Sequence, residues 1–162
     1  MKKILFAGFK GDDNSAKLLL DKLATSKHVS KLYLENDFGT CALQIIEHIS
    51  SDKYDLILAF GQKPVIKSIY FEQCGKVGEQ KYFTEFCFEE LKTTLEKRGQ
   101  KIKFSENAGN YLCNHVYGIG LQYIKQQKKA TQFAFIHIPN VKNLTDIDFL
   151  ARSFGEYVKY IL

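Results

Sequence analysis

No apolar run in this chain of 162 residues approaches the ~20 residues that a membrane-crossing helix needs. A membrane partner is therefore not expected. Cysteine is sparse, and Cys41, Cys74, Cys87 and Cys113 show neither CxxC spacing nor a matching histidine cluster. That pattern argues against a zinc site or any other metal centre. The glycines form no GxGxxG or phosphate-loop run, which removes the motif on which a flavodoxin-like nucleotide-binding module would rest. Internal repeats and low-complexity linkers are missing too, so residues 1–162 are expected to form a single domain, long enough to bury roughly two-thirds of the unfolded surface.

What is present is ordinary for a soluble globular protein: 45% hydrophobic and 25% charged residues, with a formal net charge of +5. The lysines are scattered, and the denser groups at Lys125 to Lys129 and Lys97 to Lys103 have the character of solvated helix ends and turns. Nucleic acid is not an expected partner, because net charge alone carries little specificity. The opening Met1-Lys2-Lys3 and the apolar Ile4 to Phe9 mimic a short export signal. The run breaks at Lys10 and Asp12, however, and no small-residue cleavage site follows. A buried first strand explains it better, and unpaired thiols in such a chain point to the cytoplasm.

Apolar and amphipathic stretches alternate along the chain. Strands are predicted at 2–8, 30–35, 101–104 and 131–138, with a continuously apolar, centrally placed strand from Asp55 to Phe60 ending at Gly61. Helices are predicted at 14–26 behind an Asn14-Ser15 cap, at 39–50, at 84–98 closed by Gly99, and at 110–127. A final helix is expected from about Asp146 to the end, capped by Asn143 or Thr145. Residues 65–74, with Pro64 at their start, read as an extended edge strand or hairpin arm. This βαβα rhythm predicts an α/β fold, a three-layer α/β/α sandwich around a mostly parallel mixed sheet. Chemistry in such sheets collects at the carboxyl ends of strands, here Gly8-Phe9, Gly61-Gln62, the loop 105–113 and His137-Ile138-Pro139.

Cys113 falls in the first turn of a predicted helix, where partial positive charge and unpaired amides lower a thiol pKa and can hold an oxyanion. On position alone it could equally be a core residue facing the sheet. Of the histidines, His115 is two positions away and on another helix face. His28 and His48 read as surface or boundary residues. His137 ends an apolar strand near the start of the cysteine helix, so a Cys–His pair is geometrically reasonable, beside the plainer reading of a hydrogen-bonded histidine closing a strand. Glu72 stands out as an acid within the apolar Ile69-Tyr70-Phe71, which is costly unless it is paired or on an outward edge face.

Together these residues resemble pyroglutamyl peptidase I, the pyrrolidone carboxyl peptidase family. The family's Ser-x-Ser/Thr-Ala-Gly-x-Tyr/Phe-x-Cys-Asn signature is met by Ser105, Ala108, Gly109, Tyr111, Cys113 and Asn114, with Asn107 where a hydroxyl residue is usual. Phe135-Ile136-His137-Ile138-Pro139 matches the family's histidine strand end, 24 residues after Cys113. Gly61-Gln62 followed ten positions later by Glu72 matches its Gly-Gln…Glu element, and Lys81-Tyr82-Phe83-Thr84 resembles the segment preceding the cysteine loop. The resemblance implies a Cys113, His137, Glu72 triad, with Phe9 and Gln62 lining the substrate-ring pocket. It also implies a small peptide substrate, no metal or organic cofactor, and assembly into homo-oligomers.

Beyond Asn107, the departures fall in the substrate wall. The family's Pro-Phe-Gly-Gly loop after Gly8-Phe9 is replaced by Lys10-Gly11-Asp12-Asp13-Asn14. Its Gly-Gly-Arg becomes Lys63-Pro64-Val65-Ile66-Lys67, its Glu-Arg-x-Ala-x-Asn becomes Glu72 to Val77, and an insertion before Tyr82 is nearly absent. The expectation is a cysteine peptidase releasing N-terminal pyroglutamate with altered specificity. The alternatives are a thiol amidohydrolase acting on another small amide, and a catalytically idle peptidase-fold binding protein.

Overall fold

The continuously apolar strands and one-sided helices assemble as a sheet covered on both faces. The computed structural model describes every residue of the chain except Thr145. In chain order the elements are β1 Ile4–Phe9, α1 Ser15–Lys22, β2 Val29–Leu34, α2 Phe38–Ser50, β3 Leu56–Gln62, β4 Ile69–Glu72, β5 Cys74–Val77, β6 Gln80–Phe83, α3 Glu89–Glu96, β7 Ile102–Ser105, α4 Leu112–Gln127, β8 Gln132–Ile138 and α5 Ile147–Ile161. A 3-10 turn at Val141–Asn143 separates β8 from α5.

The main sheet has the order β2-β1-β3-β8-β4-β7. β2, β1, β3 and β8 are parallel, β4 is antiparallel to β8, and β7 is parallel to β4. Alternate strand side chains feed two cores. Ile4, Phe6, Leu58, Phe60, Ile136 and Phe71 pack with α1, α3 and α5. Leu5, Ala7, Phe9, Ala59, Phe133 and Phe135 pack with α2 and α4. A fully buried Phe or Leu contributes about 1.5–3 kcal/mol, so covering both faces explains why β1, β3 and β8 carry apolar residues on each side. The three-layer α/β/α reading holds.

The boundaries differ where local polar chemistry competes with helix. α1 stops at Lys22, four residues before the predicted end; its Asn14 cap accepts from the Ala16 and Lys17 amides. The predicted helix 84–98 begins only at Glu89. Thr84 Oγ1 donates to the Phe133 carbonyl at 2.6 Å and accepts from the Phe86 amide, which fixes the start of this segment outside the helix. The helix ends at Glu96 with Lys97 as its C-cap, two residues short of the expected end, and Gly99 follows in a turn with φ +81° and amide bonds from Gly99 to Glu96 and from Gln100 to Leu95. The last helix is capped by Asp146, which accepts from the Phe149 amide, and not by Asn143, which sits in the 3-10 turn. Thr145 lies outside the described residues.

Two corrections bear on the site. The stretch predicted as an edge strand contains β4, an interior strand flanked by β8 and β7, and Glu72 is fully buried. Residues 74–83 then form a separate hairpin, β5–β6, that the sequence pattern does not announce. Because β4 and β7 run against β8, the cysteine loop does not leave the same end of the sheet as the other three expected positions. Ser105 ends β7 level with Glu72, itself level with Phe135 in the middle of β8, and the chain crosses back from there to α4.

Candidate active site

Strand alternation aims the key side chains. Phe133 and Phe135 face α2 and α4, so His137, two positions on, faces the same way. In the antiparallel pair Tyr70 lies opposite His137 and Glu72 opposite Phe135, which puts Glu72 one diagonal step from His137 on that face. Glu72 is fully buried, His137 is 3% exposed, and the His137 Nδ1 lies 2.7 Å from Glu72 Oε1. An ionised carboxylate only accepts, so Nδ1 carries the proton and donates it, which leaves Nε2 with its lone pair free. The pairing offsets the cost of burying an acid in an apolar layer.

The thiol comes from above. Cys113 is in the first turn of α4 and half-buried. Its Sγ would stand 2.7 Å from a Cβ placed on Gly61, and Phe135 Cε1 would stand 2.9 Å from it. Gly61 is the register partner of His137 in the β3–β8 pair. The sulfur therefore lies over the strand position next to the imidazole, in space that exists only because residue 61 has no side chain.

Burial pushes the Cys113 thiol up to about 12, and the charge of Glu72 acts in the same direction. The backbone amide at Cys113 and the Lys63 ammonium pull it down, but less. The helix N-terminus predicted a lowered value; burial outweighs it. The resting group is thus a protonated thiol that needs a base to become a nucleophile.

Asn114, the last residue of the cysteine signature, holds α4 in place. Its Oδ1 accepts from the Lys76 amide at 2.8 Å and its Nδ2 donates to the Lys76 carbonyl at 3.1 Å, fixing the helix start to β5. Tyr117, one turn beyond Cys113, donates its hydroxyl to the Glu72 carbonyl at 2.8 Å. It also packs edge-on to Phe133 with ring centres 5.1 Å apart. The loop itself is tied by its own polar atoms: the Asn107 amide donates to Ser105 Oγ at 3.0 Å, and the Gly109 amide to Asn107 Oδ1 at 3.1 Å.

The two expected pocket residues fare differently. Phe9 is 3% exposed and belongs to the apolar cluster on the Cys113 side. The Gln62 side chain is not brought to the thiol. Strand alternation turns it to the opposite face, where its Oε1 accepts from the Ser15 amide at 2.8 Å and caps α1. The competing histidines are engaged elsewhere: His115 Nε2 bonds the Phe38 carbonyl at 2.9 Å, and His48 Nδ1 bonds the Gln44 carbonyl at 2.7 Å. Tyr70, Lys63 and Tyr117 escape sequence reasoning as site residues, while Gly61, expected as a strand end and part of the Gly-Gln element, makes the room for the thiol. The available signals are the i, i+2 spacing of Tyr70 and Glu72 and the i, i+4 spacing of Cys113 and Tyr117. Among the described residues no three His, Cys, Asp or Glu side chains converge as a metal ion would require. Likewise, among them no helix is long and apolar enough to cross a membrane.

This arrangement can be set against known proteins. The family model described as pyroglutamyl peptidase matches residues 68–149, a stretch holding Glu72, Cys113 and His137. The pyrrolidone-carboxylate peptidase of Lacticaseibacillus paracasei is 27% identical over 169 residues, covering 85% of this chain and 77% of that protein. That of Fusobacterium nucleatum is 31% identical over 80 residues, 49% of this chain, and that of Oceanobacillus iheyensis 42% over 62 residues, 38% of this chain. The chain spans only about a third of the length of these two relatives, 35% and 31%. The pyrrolidone carboxyl peptidase of Pyrococcus furiosus has the same fold, with a TM-score of 0.83 at 18% identity over 98% of this chain and 97% of that one. The Thermococcus litoralis protein gives 0.81 at 18% over 98% and 92%. With the family model matching half of the chain, and with the sheet order and cysteine loop described above, the protein belongs to the pyroglutamyl peptidase family.

Proposed function

We propose that this chain is a cysteine exopeptidase that removes N-terminal pyroglutamate from small peptides, with Cys113 as nucleophile, His137 as base and Glu72 as the residue that orients it. The observation that carries this reading is the buried Glu72–His137 pair at 2.7 Å on the same sheet face as the half-buried thiol over Gly61. His137 Nε2 takes the Cys113 proton as sulfur attacks the pyroglutamyl acyl carbonyl. The tetrahedral oxyanion is held by amides in the first turn of α4, and its collapse expels the peptide amine, which receives the proton from His137. Water, deprotonated by the same imidazole, then cleaves the thioester and returns the thiol. Glu72 keeps the Nδ1 proton in place throughout and balances the imidazolium formed at each step. Phe9, buried in the apolar cluster, backs the Cys113 side of the sheet from within the core. Any contribution of Gln62 comes from its main chain, since its side chain caps α1. The free cysteines are consistent with work in the cytoplasm.

Hydrolysis of a fluorogenic pyroglutamyl amide by the wild type, abolished in Cys113→Ser, is the expected result. Turnover that survives the substitution sinks the mechanism. One observation favours a second reading, an idle binding protein of the same fold: the thiol is held protonated by burial. Alkylation of Cys113 at neutral pH separates the two. A working centre reacts readily and loses that reactivity in His137→Ala, whereas an idle one reacts slowly in both.

A further inference from the structure

Lys63 belongs to none of the expected site positions, yet its surroundings converge on the thiol. Its backbone is fixed as β3 ends, where its amide donates to the Ile138 carbonyl at 3.0 Å. Strand alternation from Gly61 turns its side chain to the Cys113 face. From there the ammonium lies 5.6 Å from the centre of the Tyr70 ring, and Tyr70 is the cross-strand partner of His137. Nζ donates to the Asn107 carbonyl at 3.2 Å, inside the loop that delivers Cys113. Asn107 is the residue on which that loop's internal hydrogen bonds meet. Among the described residues Lys63 makes no salt bridge, although its neighbour across the site, Glu72, is buried and acidic.

We propose that Lys63 is a positioning residue for the nucleophile: its ammonium ties the cysteine loop to the end of β3 and supplies the positive charge that favours the ionised sulfur. The inference rests on Cys113 being the nucleophile. The charged or titratable groups that bear on that sulfur are Glu72 from β4, His137 from β8, Cys41 from α2 and Lys63 itself after β3. Glu72 opposes a thiolate, and Cys41, whose own thiol is raised by burial, offers it no stabilisation at neutral pH. Besides an imidazolium formed during reaction, Lys63 is the cation in that set. The tether and the charge act together, since the contact with Asn107 holds Nζ near the loop whose helix carries the sulfur.

The experiment compares wild type, Lys63→Met, Lys63→Gln and Lys63→Arg as full-length proteins. Glutamine can still donate to the Asn107 carbonyl but carries no charge, whereas arginine keeps both. The readouts are the rate of Cys113 alkylation by iodoacetamide from pH 6 to 10, and kcat and KM on a fluorogenic pyroglutamyl amide. The expected result is alkylation slowed about tenfold at pH 7 in the Met and Gln variants, with the profile moved up by about one pH unit. kcat should fall in parallel with KM changed by less than about twofold, and Lys63→Arg should restore most of the loss. A Gln variant that follows the wild-type profile overturns the proposal, as does a Met variant that does so. If Met fails to fold by circular dichroism, Gln and Arg decide the matter alone. A wild type that alkylates at Cys113 but turns over no pyroglutamyl amide defeats the proposed substrate, and the Lys63 effect is still read from alkylation.

Discussion

The Glu72–His137 contact joins two side chains that cannot be exchanged for near-copies. Glutamine at position 72 would fit the same space, but it can present its amide group to Nδ1 and favour the tautomer with the proton on Nε2. Glu72→Gln is therefore expected to lower kcat by about 10²- to 10⁴-fold with KM little changed, as measured by steady-state kinetics. The pairing could not be read from the sequence, where Glu72 is equally an outward edge residue. What decides it is that β4 is interior, which leaves the carboxylate no solvent to face. The Cys113 thiol gives a second prediction at this scale. At neutral pH it is protonated in both folded and unfolded chains. Above the ordinary value of 9.0 the unfolded chain releases a proton that the folded chain retains toward about 12, so stability falls as pH rises through that window. The raised values of buried Tyr157 and half-buried Tyr33 add to the fall. The melting temperature of Cys113→Ala should accordingly decline less steeply than that of the wild type between pH 9 and 11, by differential scanning fluorimetry.

Helix α4 is placed by the hairpin beside it. Gly118 and Gly75 let the helix backbone lie against β5: a Cβ on Gly118 would stand 2.4 Å from the Lys76 carbonyl oxygen, and one on Gly75 would stand 2.4 Å from the Gly118 amide nitrogen. Asn114 locks the same junction with two hydrogen bonds to Lys76. Gly118→Ala must push the helix off the hairpin, against backbone that cannot swing away. The expected cost is about 1–3 kcal/mol in urea denaturation, despite the better helix propensity of alanine. Because Cys113 rides on the same helix, its alkylation at pH 7 should also slow. Asn114→Ala is expected to cost about 1 kcal/mol, since water can reach the exposed Lys76 groups it leaves, with the same denaturation series as the check. Helix α4 itself is legible from its apolar periodicity. The hairpin is not, since four-residue strands separated by Gly78-Glu79 give too short an alternation to identify.

Across the whole molecule, the site draws on β3, β4, β8 and α4, which belong to one sheet and one of its two covering layers. The site cannot be completed before β4 pairs with β8, because Glu72 and His137 meet only through that pairing. Residues 1–162 are thus expected to unfold as one cooperative unit. Urea curves from far-ultraviolet circular dichroism and from loss of pyroglutamyl hydrolysis should superimpose; a catalytic loss that precedes the structural transition by more than the fitting error would show the site to be a separately stable part.

The amino-acid sequence by itself determines the alternation of strands and helices, the α/β layering, and Cys113 and His137 as candidates for the proposed chemistry, because each depends on local periodicity or on a short motif. Cys113 with its Asn114 and His137 at its strand end are legible for that reason. Tertiary structure alone decides that the strand of Glu72 is interior and antiparallel, that Gln62 caps a helix on the far face, and that Lys63 reaches the cysteine loop. Those outcomes depend on which strand lies beside which, and a side chain's partner across a sheet is fixed by long-range pairing that no stretch of local sequence encodes.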